Sequence, residues 1–315
     1  QFLSNALYAM RLRSTAYDTA HAADSLVKSW TLRGTMHIFA EADLPLFLHT
    51  GCRYRSRDWT VPSFWNQRPN WALTPKRQAY FSDLIIDALA QGPMTREALK
   101  ARCRAAGMTQ AEEGSIFHPW GGGIRELCER GFLCGTVSEE KAFRLCPAFT
   151  PMEEQDALLE QTRRYFTNYG PASVRDAAYY FDTPQAEIKK RLARLPVEAA
   201  KYEGQQLFCL DSGRAPGQSL PDCLLLAGFD PLVLGYEKKQ SIFLPQEYLR
   251  GIFSLSGIVM PPVLLHGSVA GRWKHSGKRL LITQFRPFSQ EERGFAEAAA
   301  AQLWGEAVQP VFQDA

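Results

Sequence analysis

The middle of the sequence repeats itself once, and this constrains the fold more than any other feature. Over residues 76–90 a helical stripe of Phe81, Leu84, Ile85, Ala88 and Leu89 runs up to Gly92-Pro93, after which Thr95 caps a second helix ending near Ala106. A third helix, 121–130, puts Ile124, Leu127 and Cys128 on one face and stops at Gly131. Strand-like runs at 132–137 and 141–146 close the unit as a hairpin. The order then returns. A helix over 153–169 reaches Gly170-Pro171, Ser173 with Asp176 opens a second, and Asp182-Thr183-Pro184 opens a third that ends at Leu195. A second hairpin follows at 197–202 and 206–211. Three helices and a hairpin make a winged helix, so the pattern predicts two in tandem.

The N-terminal region reads as an incomplete third copy. Trp30, Leu32, Met36 and Ile38 alternate with Thr31, Arg33, Thr35 and His37, which predicts a strand pair bent near Gly34 with a polar face. A helix is expected over 41–49. Beyond the linker 212–217 the sequence turns to short strands at 224–229, 263–266, 269–275 and 278–285, a meander expected to close into a small barrel, and Ser289 with Glu292 caps a terminal helix. The expected class is α+β: tandem winged-helix (helix-turn-helix) domains followed by a small C-terminal β-barrel-like domain. The expected domains are 1–75, 76–150, 151–213 and 214–315.

With 45% apolar and 22% charged residues, the chain of 315 can bury a sizeable core. It has no apolar run long enough to span a membrane and no signal-peptide pattern at its start, so no membrane partner is expected. The first residue is Gln, which predicts natural residues upstream of it. Seven scattered cysteines without a C-x-x-C pair argue against a disulfide framework or zinc knuckle and for a reducing, cytoplasmic setting.

The net charge of +3 is unevenly spread. Between residues 51 and 77, Arg53, Arg55, Arg57, Arg68, Lys76 and Arg77 face Asp58 alone, interleaved with Tyr54, Trp59, Phe64, Trp65 and Trp71. Between 238 and 286, eight Lys and Arg face Glu247 alone. Such regions point to a polyanion-binding face; decorated solvated surface is the other reading.

P-loop, Rossmann, H-E-x-x-H and G-x-S-x-G signatures are absent. Gly121-Gly122-Gly123 lies at a helix start, where it reads as close packing more than phosphate binding. In the first helix Leu3, Leu7 and Met10 form an apolar stripe, leaving Gln1, Ser4, Asn5, Tyr8 and Arg11 as a polar face that could meet a nucleotide, or as the wet side of an ordinary amphipathic helix. Arg33 and His37 are read either as DNA contacts or as partners in internal hydrogen bonds. Arg53, Arg55 and Arg57 alternate, so a strand there would aim them at DNA phosphates. Lys238 and Lys239 follow Leu234-Gly235-Tyr236 on an expected loop or hairpin. Asp230 is a candidate acid, and its other reading, the preferred one, is structural, pairing an Arg.

Three stretches carry a family resemblance. They are residues 1–11 (QFLSNALYAMR), residues 29–38 (SWTLRGTMHI) and residues 225–236 with Phe229-Asp230-Pro231 and Leu234-Gly235-Tyr236. Together they resemble the AlkZ/YcaQ-type winged-helix DNA glycosylases, with Arg-Gly-Thr-x-His the most specific element. The resemblance implies tandem winged helices and a small barrel around a basic DNA channel. It further implies a catalytic Gln-x-Gln motif, or Gln-x-Asp in the YcaQ branch; Gln1 aligns with its second member, which favours the AlkZ-like branch. The expected function is a monofunctional DNA glycosylase for cationic alkylated purines, including bulky or crosslinked ones, with no cofactor or metal. Gln1 is its catalytic residue, and Asn5, Arg11, Arg33, His37, Arg53, Arg55, Lys238 and Lys239 are its DNA contacts. The expected partner is double-stranded DNA bound by a monomer, in the cytoplasm at a bacterial nucleoid. A non-catalytic winged-helix transcription regulator is the alternative.

Overall fold

A computed structural model describes residues 2–14, 25–211, 213 and 220–315. The chain divides into two compact units, Asp18–Gln161 and Gln1–Tyr17 with Thr162–Ala315.

In the first of these, strands β1 (Leu26–Trp30) and β2 (Met36–Ala40) pair antiparallel, Trp30 facing Met36. Strands β3 (Met94–Thr95), β4 (Leu133–Gly135) and β5 (Ala142–Leu145) complete one sheet in the order β2-β1-β4-β5-β3. The strand pair read as part of a separate N-terminal domain therefore continues the hairpin of the following repeat, joined where Lys28 faces Gly135. Four of the described helices build the unit's main core, while the short helix Leu44–Phe47, inside the stretch 41–49 expected to be helical, packs Leu44 against Val27 and Cys134. Pro75–Leu89 starts at Thr74, whose side chain accepts from the Arg77 N–H, and it buries Phe81, Ile85, Ala88 and Leu89 at helical spacing. Arg96–Ala105 is capped by Thr95, and Gly122–Glu129 buries Ile124, Leu127 and Cys128. Gln110–Ile116, absent from the sequence reading, begins with a capping box between Thr109 and Glu112. Their apolar faces form one core with Trp59, Leu73, Leu99 and Phe132.

In the other unit the N-terminal helix Leu3–Arg13 precedes the second repeat. That repeat has the second half of helix Glu154–Asn168, then Val174–Phe181 with a Ser173–Asp176 capping box, then Gln185–Leu192, then strands β6 (Glu198–Tyr202) and β7 (Gln205–Cys209). Tyr165, Phe166, Ala177, Ile188 and Leu192 make its core.

The C-terminal strands do not form the expected barrel. Strands β8 (Cys223–Leu225), β9 (Pro262–Leu265), β10 (Ser268–Ser276), β11 (Arg279–Gln284) and β12 (Gln309–Asp314) make an open sheet in the order β12-β11-β10-β9-β8. The reason lies in helix Gln290–Trp304, whose Ala296 and Ala300 pack into the core of the sheet with Cys223, Leu225, Leu280 and Ile282. The helix is also the crossover that brings β12 parallel to β11. A helix covering the inner face replaces the closure a barrel would need.

Candidate nucleic-acid interface

The N-terminal helix is seated on the segment that follows β8. Tyr8 Oη donates to the Leu225 carbonyl at 2.7 Å, and its ring lies 5.7 Å from Trp273. Phe2 contacts Phe229 at 5.8 Å between ring centres, and Leu12 packs into the Leu226–Val233 cluster. Arg13 donates from both Nη atoms to the Asp230 carboxylate, at 3.1 and 2.6 Å. Asp230 is wholly buried, and it also accepts from the Leu232 N–H at 2.9 Å, capping the short helix Pro231–Leu234. The carboxylate thus has three donors, as a buried charge requires. Burial raises the Tyr8 phenol above its ordinary pKa, and the Asp230 charge adds to this, so Tyr8 remains a hydrogen-bond donor.

The seating face differs from the expected one. Tyr8 and Leu12, four residues apart, turn toward the 225–230 segment, so Tyr8 leaves the polar face assigned to it. Asn5, on the same side, lies against Gly228, where an added Cβ would come within 3.0 Å of the Asn5 amide nitrogen. Arg11 is exposed. Gln1 lies outside the described residues. Lys238 and Lys239 follow in a turn in which the Gln240 N–H donates to the Glu237 carbonyl; Lys238 holds its ammonium 5.7 Å from the Phe253 ring centre and Lys239 is exposed.

In the 18–161 unit the Arg-Gly-Thr-x-His element forms the turn between β1 and β2. Arg33 (φ 56°) and Gly34 (φ 60°) are both left-handed. A Cβ at Gly34 would fall 2.2 Å from the Arg125 guanidinium, so the glycine answers two demands, backbone and space. Arg125 is held from behind by Glu129 at 2.6 Å. His37 lies between two hydroxyls, Thr31 Oγ1 at 2.9 Å from Nδ1 and Thr35 Oγ1 at 3.4 Å from Nε2. Burial, with the charge of Arg33 second, lowers its pKa to about 4, so it is uncharged at neutral pH. Such a ring positions the turn by donating through one nitrogen and accepting through the other.

The basic aromatic stretch forms no strand, which corrects the alternation expected for Arg53, Arg55 and Arg57. Arg53 and Arg55 adopt left-handed φ of 56° and 50° in turns. Arg53 donates to the Pro62 carbonyl at 3.1 Å, Arg55 to the Cys146 carbonyl at 3.3 Å, and Arg57 pairs with Asp83. Local backbone bonds close the turns instead of an extended path, the Arg53 N–H donating to the Thr50 carbonyl at 3.1 Å and the Ser56 N–H to the Arg53 carbonyl at 2.9 Å. The glycine run is packing: Gly122 has φ 60° and a Cβ there would meet the Ser115 carbonyl oxygen at 2.2 Å. Among the described residues no cluster of His, Cys, Asp or Glu could hold a metal, and no helix is long and apolar enough to cross a membrane.

Residues 6–305 match the family described as DNA glycosylase AlkZ-like. The chain belongs to the AlkZ-like DNA glycosylases. It is 26% identical over 289 residues, 85% of this chain and 75% of the relative, to a Streptomyces sahachiroi protein named interstrand DNA cross-link repair glycosylase. The solved structure of Streptomyces sahachiroi DNA glycosylase AlkZ aligns with all of this chain and 90% of its own length, with a TM-score of 0.78 at 23% identity, which establishes a shared fold.

In this AlkZ-like glycosylase two residues escaped the sequence reading. Arg13 was passed over at the end of a helix whose interest lay at its start, although an Arg for Asp230 was expected. Arg125 gave one signal, an Arg at i to a Glu at i+4, which marks a helix pair and not its closeness to Gly34.

Proposed function

We propose that this AlkZ-like glycosylase hydrolyses the N-glycosidic bond of cationic alkylated purines, N7-alkylguanines above all, bulky and interstrand-crosslinked ones included, and leaves an abasic site. The supporting observation is the family match across residues 6–305, with the N-terminal helix seated on the 225–231 segment. The relative's name, an interstrand cross-link repair glycosylase, supports the lesion class.

A purine alkylated on its ring nitrogen already carries positive charge and leaves readily, so little general-acid help is needed. Water must be placed and an oxocarbenium-like sugar stabilised, and the carbonyl dipole of an amide serves both needs. Gln1 is assigned that role. Asn5 lies in the helix Leu3–Arg13, and Arg11 and Lys239, both exposed, are assigned to phosphates. In the same unit Lys238 is assigned to DNA, and in the 18–161 unit Arg33, His37, Arg53 and Arg55 are, the last two through side chains already bonded to carbonyls. In this reading the two helix-and-hairpin repeats are winged helices, and a monomer acts on double-stranded DNA in a bacterial cytoplasm at the nucleoid. The hydrolysis consumes water and calls on no cofactor.

Single-turnover release of 7-methylguanine from duplex DNA by the full natural chain tests the reading. Release above the spontaneous rate is expected, with Gln1→Ala abolishing it while DNA binding persists. No release, together with tight sequence-selective binding, would make the protein a regulator.

A further inference from the structure

Of the described aromatic side chains in the 18–161 unit, Trp120 and Phe64 stand furthest into water. Trp120 is 79% exposed and Phe64 66%. Leaving that much apolar surface wet forgoes a substantial burial gain, so a function is the natural explanation. Both rings are held by braced turns. The Gly121 N–H donates to the His118 carbonyl at 2.8 Å, and the Trp120 N–H to His118 Nδ1 at 3.2 Å. Around Phe64, the Ser63 N–H donates to Asn66 Oδ1 at 2.7 Å and the Asn66 N–H to Ser63 Oγ at 3.1 Å. The two turns meet over the buried Trp65, whose ring lies 5.0 Å from His118 and 5.3 Å, edge-on, from Phe64.

Two guanidinium groups frame the patch. Arg68 lies over Phe64 and Trp65 at 5.6 and 5.2 Å, and Arg125 over the same rings at 5.7 and 6.0 Å. The exposed Arg68, stacked this way, keeps its donor edge available for an anion, whereas Arg125 already donates to Glu129 at 2.6 Å. Open aromatic faces beside such cations match one ligand chemistry, an unstacked nucleobase with its phosphate. A purely apolar protein segment would leave Arg68 unmatched.

We propose that Phe64 and Trp120 form a platform on which unstacked bases of DNA stack, with Arg68 taking an adjoining phosphate. The proposal rests on the DNA glycosylase reading and adds where on the chain bases outside the helical stack are received. Bases in an intact duplex have their faces covered, so the platform selects bulged or single-stranded DNA over a perfect duplex.

Fluorescence anisotropy with a labelled duplex and the same duplex carrying a bulge tests this. Each of Phe64→Ala and Trp120→Ala weakens bulge binding by about five- to a hundred-fold, the range of one lost base stack. The loss leaves the salt slope and the affinity for intact duplex unchanged, and Trp120→Phe recovers most of it. Arg68→Gln instead flattens the salt slope. Both aromatic positions are exposed, so the variants fold, as an unchanged denaturant midpoint verifies. Unchanged bulge binding in the double alanine variant overturns the platform. So does a wild-type dimer that this variant dissolves in sedimentation, because the patch would then belong to a second copy. Alkylpurine release by the wild type, measured alongside, separates the two ideas: release with no aromatic effect removes the platform alone, and aromatic-dependent binding without release removes the glycosylase alone.

Discussion

The seat of the N-terminal helix and the turn between β1 and β2 hold proposed functional residues in place by opposite electrostatic means. The helix is pinned by charge, with the Arg13 guanidinium on a carboxylate that has no contact with water. The turn is pinned by an uncharged imidazole between two hydroxyls, beside a glycine that makes room for Arg125. A buried ion pair is intolerant of losing a partner, whereas a half-buried neutral histidine with a lowered pKa is intolerant of gaining a proton. The two regions therefore fail under different insults.

The largest effect is expected at the ion pair. Arg13→Ala strands the buried Asp230 carboxylate and lowers stability by about 3–4 kcal/mol in denaturant unfolding. Asp230→Ala releases a guanidinium that is already 43% exposed and costs less. Equal losses from the two variants would break the asymmetry on which the comparison depends.

Next comes the histidine. With its folded pKa near 4, below the ordinary 6.5, the unfolded chain takes up a proton first as the pH falls. Stability is held above about pH 6.5 and is lost between there and pH 4, on the order of 2–3 kcal/mol. His37→Gln removes that acid-sensitive component from a plot of stability against pH, and a slope unchanged by the substitution would show that the ring is not what the turn depends on.

The smallest effect is expected at Gly34→Ala. A left-handed φ costs an L-residue about 1–2 kcal/mol, and the guanidinium end of Arg125 is flexible enough to move aside. A much larger loss in thermal unfolding would mean that Arg125 is as tightly fixed as Arg13, sharpening the likeness of the two regions instead of their difference.

Local chemistry was legible in the sequence, and long-range pairing was not. Ser173 with Asp176 and Ser289 with Glu292 form the capping boxes their spacing announces, because both partners lie within one turn. Thr109 with Glu112 carries the same signature, overlooked beside a short helix of weak periodicity. The junction of Lys28 with Gly135 and the placement of β12 beside β11 depend on partners far away in sequence, and no local pattern encodes them. In the candidate site, Asp230 was readable as a structural acid since a buried carboxylate must find a cation. The left-handed turns at Arg53 and Arg55 were not, because alternation of charge is equally compatible with strand and coil.

The bond from Tyr8 to the Leu225 carbonyl joins residues 217 positions apart. On a ribosome adding about 5–20 residues per second, the first helix emerges roughly 10–40 s before its seat has been made. A chain that has not yet made residues 225–230 therefore has no seat for this helix, and in the proposed mechanism it is not yet competent to release bases.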